Sequence, residues 1–183
     1  MSTATAAGLA QGTWQIDRVH SHVGFAVRHM AVSTFRSRFE DYEGALTVDP
    51  AGAPRLEGSV AVDSLKVADE NLAAHLSAPD FFDSERYPRI NFRSSAVRVG
   101  DDGELEVEGE LEIKGRARPV SARGSVSGPH VDIAGNDKIG VELETVVDRR
   151  EFGLEWNAPL PKGGFALDND VRLEVTLELV REA

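Results

Sequence analysis

The sequence predicts an all-β protein, an eight-stranded antiparallel barrel with a short helix near one end. Three observations lead there. Apolar and polar residues alternate with a period of two along most of the chain. Short turn signals separate the alternating runs, as suits antiparallel neighbours. Only one segment takes up a helical spacing. The plainest alternation runs from Glu104 to Ile113, where every second residue is glutamate and Leu105, Val107, Leu111 and Ile113 share the opposite face. A helix would scatter those glutamates all round and leave no apolar face.

The elements follow in chain order. Residues 1–12, small and uncharged, are expected as a disordered tail, and one barrel domain is expected over residues 13–183. A short strand is expected near Trp14–Ile16. Val23 to His29 alternates with Val23, Phe25 and Val27 on one face. Arg36 to Val48 reads as a single strand with a slip of phase, because Phe39 and Tyr42 cannot share a face of a regular strand. A bulge near Glu40-Asp41 would repair it. Leu56 to Val62, Ile90 to Val99, Glu104 to Ile113, Arg118 to Val126, Ile139 to Val147 and Val171 to Leu179 complete the strands. Turns are expected at Asp49-Pro50-Ala51-Gly52, Gly100-Asp101-Asp102-Gly103, Gly128-Pro129 and Gly135-Asn136-Asp137. Asp69 to Leu76 reads as the helix, with Asp69 as N-cap and Leu72 and Leu76 one turn apart. The adjacent Phe81 and Phe82 that follow need burial, so helix and loop are expected to plug or line one mouth. The irregular stretch from Arg149 to Asp170, with Trp156 and Phe165, is expected to line the same cavity or an edge. An eight-stranded barrel is either filled by side chains or holds one slender ligand. Small residues at inward positions, Gly109, Ala122 and Gly124, lean towards a hollow one.

Composition bounds the function. The 183 residues suit one domain, and 41% hydrophobic with 28% charged residues is an ordinary globular balance. A net charge of -11 argues against nucleic acid and anionic membranes as main partners. With no cysteine there is no disulfide, thiolate metal site or cysteine nucleophile. No run approaches a transmembrane length, and the N-terminal residues lack the basic start and apolar run of a leader. A cytoplasmic protein without stable membrane insertion is expected.

Several blocks resemble one family. Asp17-Arg18-Val19-His20-Ser21-His22-Val23-Gly24-Phe25 with Val27-Arg28-His29-Met30 is similar to the opening signature of the YceI-like polyisoprenoid-binding proteins. Asn71 to Asp83 followed by Tyr87-Pro88-Arg89-Ile90-Asn91-Phe92, Gly109 to Gly115 with Pro119-Val120, and Arg150 to Leu154 resemble its later blocks in order. The resemblance runs from about Trp14 to Leu179. It implies a lipocalin-like barrel that holds a long isoprenoid or similar amphiphile, often as a homodimer, with no further cofactor. Where the family's helix carries an Arg-Asp pair, this chain has Glu70-Asn71.

Four candidate sites follow. Pattern alone favours a packed core, and the resemblance turns the lumen into a lipid tunnel. Its expected lining is Val23, Phe25, Val27, Phe92, Leu111, Ile113, Phe152 and Leu154, with Leu72, Leu76, Phe81 and Phe82 at a mouth. A head group would need donors, and Arg28, Arg149 and Arg150 are the cationic candidates, with His29, Asn71 and His75 as polar partners. Each of these arginines has a plainer reading as balance for an acidic surface. No metal is expected: His20 and His22 share a strand face, but zinc needs three or four ligands. No catalytic residue is expected. Ser21 lies between histidines that point to the opposite face, and neither a serine elbow nor a phosphate loop is present. The reading is therefore non-catalytic binding, transport or storage of an isoprenoid. A lipid-modifying enzyme, or a stress or interaction protein with a filled barrel, stands as the alternative.

Overall fold

Alternation along the chain becomes a closed sheet in the structure, a computed structural model that describes residues 9–183. The order is β1 (Gly12–Ile16), β2 (His22–His29), β3 (Ser33–Phe39), β4 (Tyr42–Val48), β5 (Pro54–Ala61), α1 (Glu70–Ser77), β6 (Arg89–Val99), β7 (Glu104–Ile113), β8 (Arg116–Val131), β9 (Asp137–Asp148) and β10 (Leu167–Arg181). All pairings between these strands are antiparallel. The ring β1-β4-β5-β6-β7-β8-β9-β10 closes through β1 on β10, which makes an eight-stranded barrel. The β2–β3 hairpin pairs with the same edge of β10, nearer its start.

The glutamate ladder sits as its period requires. Leu105, Val107, Leu111 and Ile113 are buried, and the glutamates of β7 point to the solvent side. Gly109 faces inward too, but it is a seat and not a gap. A Cβ there would stand 2.6 Å from Cζ of Phe92, whose ring covers the glycine.

The slip at Glu40-Asp41 is a strand break, not a bulge. Phe39 and Tyr42 are both buried, which one regular strand cannot satisfy. The chain therefore leaves β3, which pairs with β2, and starts β4, which pairs with β1 and β5. A matching break separates β1 from β2. There β10 changes partner at Glu178: the Asp17 amide donates to the Glu178 carbonyl (2.8 Å), and the Glu178 amide donates to Ser21 Oγ (3.0 Å). The two breaks lie against each other. Tyr42 donates its hydroxyl to the Ser21 carbonyl (2.8 Å), and Arg18 pairs with Asp41 (2.8 Å). True irregularities of register occur elsewhere, at Ser94/Ala96, Ser127/His130 and Leu167/Val171.

Below the breaks the barrel is solid. Leu9, Trp14, Leu46, Val107, Ile139 and Leu179 pack together there. This corrects part of the expected tail. Residues 1–8 lie outside the described residues, but Leu9 is 4% exposed and Gly12 opens β1. Leu9 is the large apolar side chain of that stretch, and burying it at the closed end is favourable by roughly 1.5–3 kcal/mol.

Above the breaks, β2 and β3 carry the wall. Past β3 the sheet gives way to other structure. Lys66 donates its amide to the Arg38 carbonyl (2.8 Å) and accepts from Ser37 Oγ (2.6 Å). Next stands α1, capped by Asp69, whose carboxylate accepts from the Leu72 amide (2.8 Å). Among the described residues, no helix is long and apolar enough to cross a membrane.

Candidate functional site

The lumen tapers from the open half to the filled half. Its voids shrink from about 470 Å³ to about 190 Å³ and then to about 10 Å³. Phe39, Ile90, Ile113 and Leu173 line both larger chambers and form the neck between them. Leu56 and Val107 lead on to the smallest void. The lumen is thus blind.

The upper chamber takes its wall from β2 and β3, from α1, and from the stretch after β9. Its exposed lining residues are His29, Met30, Ser33, Thr34, Arg36 and Leu72. All belong to the β2–β3 hairpin or to α1, so the chamber opens between that hairpin and the helix. Inside, Phe25 stacks obliquely on Phe35 and Phe39, with ring centroids 6.1 and 6.2 Å apart. Opposite chemistry comes from a second aromatic group, where His75 meets Trp156 edge-on at 4.7 Å and Phe81 at 5.1 Å.

All twelve residues expected to line the lumen stand on chamber walls. Phe25, Val27, Leu72, Leu76, Phe81, Phe82, Phe152 and Leu154 line the upper chamber. Ile113 is at the neck, and Val23, Phe92 and Leu111 line the lower chamber. Sequence reasoning missed Phe35, Phe39, Ile90 and Leu173, while Trp156, in the stretch expected to line the cavity or an edge, stands on the upper wall. Ile90 and Leu173 share the parity of Phe92 and Val171 and were readable. Phe35 precedes the strand start read at Arg36.

The six polar candidates divide. His29, His75 and Arg149 line the upper chamber. Arg28, Asn71 and Arg150 line neither large chamber. Arg28 points outward and donates to the Ala31 carbonyl (2.9 Å). Arg150 is paired with Asp148 (2.6 Å), and Asn71 lies exposed on α1. Arg149 is 4% exposed. Its Nε donates to the Asp168 carbonyl (2.8 Å), and its Nη1 donates to the carbonyls of Leu154 (2.6 Å) and Trp156 (2.8 Å). Burial pushes its pKa down, and the neighbouring Asp148 opposes that shift.

The histidines near Ser21 do not act on it. Ser21 Oγ donates to the Asp17 carbonyl (2.6 Å) and accepts from the Glu178 amide. His20 and His22 do not meet as a pair of ligands either. His20 Nδ1 lies 2.9 Å from Asp17, and Glu178 is close by. The ammonium of Lys138 sits between the same carboxylates, 3.2 Å from Asp17 and 2.6 Å from Glu178, and supplies their cation. This group ties down the point where β10 changes partner. Its one signal in the sequence is the Asp17–His20 spacing.

A closed antiparallel barrel with a blind apolar lumen, open beside a short helix, defines a class of cavity-enclosing β-barrel proteins. Within it, a model of the YceI-like domain matches residues 14–179, and the chain belongs to that family. A UPF0312 protein of Vibrio cholerae is 28% identical over 158 residues, covering 85% of this chain and 83% of its own. Protein YceI of Escherichia coli O157:H7 is 28% identical over 139 residues, 74% of this chain and 72% of its own. The crystal structure of Burkholderia cenocepacia BcnA superposes with a TM-score of 0.74 at 21% identity, covering 89% of this chain and 98% of that one. A polyisoprenoid binding domain from Saccharophagus degradans does so at 0.68 and 13% identity, over 92% and 98%. These two share the fold.

Proposed function

We propose that the protein is a non-catalytic binding protein for an isoprenoid or similar amphiphilic lipid, whose tail occupies the two chambers. The observation that carries this reading is the continuous apolar lumen, which narrows at the Phe39–Leu173 neck and ends blind. Together the chambers fall within the roughly 300–1,000 Å³ of small-molecule pockets. Burial of each CH₂-sized group contributes about 0.8 kcal/mol, so a few isoprene units supply enough drive for tight binding before ordering costs. The polar end lies in the upper chamber beside His29, His75 and Arg149. A structural neighbour described as polyisoprenoid binding supports the ligand class. The reading includes the homodimer that the family resemblance implies and the cytoplasmic setting expected from the sequence.

Native mass spectrometry of the purified protein is the test. A bound mass that extracts into organic solvent is expected, and a protein that stays empty when offered prenyl lipids counts against the reading. Two substitutions sharpen it. Phe92→Asp places a charge on the lower chamber wall and is expected to abolish uptake or unfold the barrel. Glu106→Lys, on the solvent side of β7, is expected to leave uptake intact and shift stability by no more than about 1 kcal/mol.

A further inference from the structure

Among the described residues, Arg149 is the one arginine of the upper chamber that forms no ion pair. Three main-chain carbonyls take up Nε and Nη1 and staple the Leu154–Trp156 stretch to the start of β10. Nη2 takes part in no bond with the protein. Among the described residues no fully buried side-chain polar atom lacks a partner, so Nη2 keeps some accessible surface, and Arg149 lines the upper chamber. Among the described residues no carboxylate pairs with the guanidinium. Asp148 is engaged by Arg150, and Asp168 offers its carbonyl, not its side chain. Carbonyl dipoles satisfy donors but leave the net charge unbalanced. A buried, uncompensated charge is strongly disfavoured unless something pairs with it. The stapling role accounts for Nε and Nη1 and leaves both Nη2 and the missing counter-charge unexplained.

We infer that the upper chamber receives an anionic head group, a carboxylate or a phosphate ester, on Nη2 of Arg149. This rests on the lumen-binding reading and adds the ligand's charge class to it. The other charged and titratable groups nearby are His29, His75 and Arg36 on the same chamber wall, with Arg36 paired to Glu174 (2.9 Å), and Asp148 and Arg150, which pair with each other. His75 touches the ring of Trp156, whose carbonyl Arg149 holds. The tail then runs past the neck into the lower chamber, and the head is enclosed with it.

Myristic acid and myristyl alcohol, which share one tail, make the matched probes. Calorimetry with the full chain is expected to show the acid bound about tenfold more tightly or better, as for a charge-assisted bond. The bound carboxyl, followed by carbon NMR of labelled acid, is expected to titrate below its free value. Arg149→Gln is expected to bind both probes alike and to keep the alcohol's affinity, with circular dichroism as a check of folding. Should that variant fail to fold, the NMR titration of the unaltered protein decides. Equal affinities, or a bound carboxyl titrating at or above its free value, overturn the anionic head group and leave the lumen reading standing. If neither probe binds, the anionic head group on Arg149 is overturned, and the prenyl lipids offered in native mass spectrometry decide the lumen reading.

Discussion

At the scale of single residues, Asp17 shows how one side chain holds a junction of strands. The hydrogen bond from His20 is the main influence that brings its pKa to about 2 from an ordinary 3.8; burial opposes it, and Lys138 and the Val19 amide assist. The stability this gives is whole above pH 3.8 and is lost as pH falls through about 2. For His20, pairing with Asp17 raises the pKa above 6.5, so its share is whole below 6.5 and fades as pH rises through the raised value. The pair is therefore complete between about pH 3.8 and 6.5. Asp17→Asn is expected to cost about 1–2 kcal/mol at pH 6, after allowance for solvent screening, and to flatten the acid limb. Urea denaturation from pH 2 to 8 measures it, and an unchanged acid limb would speak against the junction. Only the Asp17–His20 spacing was legible in the sequence. Glu178 and Lys138 lie far from Asp17 in the chain, and only the closed sheet brings them together.

At the scale of elements, the β2–β3 hairpin is the departure from the eight-stranded ring that makes the opening. Its turn places Met30 (φ 54) and Ala31 (φ 55) in the left-handed region, closed by the Val32 amide on the His29 carbonyl (3.0 Å). Hairpin turns of this hand favour Asn-Gly, and side chains there carry strain. Ala31→Gly is expected to stabilise the protein by about 0.5–1 kcal/mol, the relief of strain being partly offset by a freer unfolded chain. A raised denaturant midpoint at constant slope is the sign to look for; a lowered midpoint would show the turn to be unstrained. The sequence carried β7 and α1 in full, because each has a clean period and, for α1, a cap. It misjudged residues 36–48, since a bulge and a strand break produce the same slip of phase. Which of them occurs depends on the partners that β3 and β4 find.

At the scale of the whole molecule, a barrel filled below and hollow above has a finite length of lumen. Binding along a series of prenyl alcohols is expected to tighten with each added unit while the chambers fill and then to level off, since a longer tail must leave through the opening beside α1. Thermal unfolding reads this directly: at a ligand concentration 100 times its Kd, the folded state gains about 2.7 kcal/mol. A melting temperature that kept climbing with tail length would mean that the closed end gives way. The acidic exterior, with glutamates along β7 and a net charge of -11, keeps the loaded molecule hydrated.

By itself the sequence determined most of the strands, the inward face of each regular one and the capped helix. These are local matters of period and capping, written in neighbours along the chain. Only the tertiary structure decided where the sheet closes, that β2 and β3 leave the ring, and where the lumen ends. It also separated the three arginines that composition could not distinguish. Arg28 and Arg150 face water or a carboxylate, while Arg149 is buried at the chamber wall. That difference arises from closure of the barrel, which puts residues distant in sequence round one cavity and removes water from one guanidinium and not from the other two.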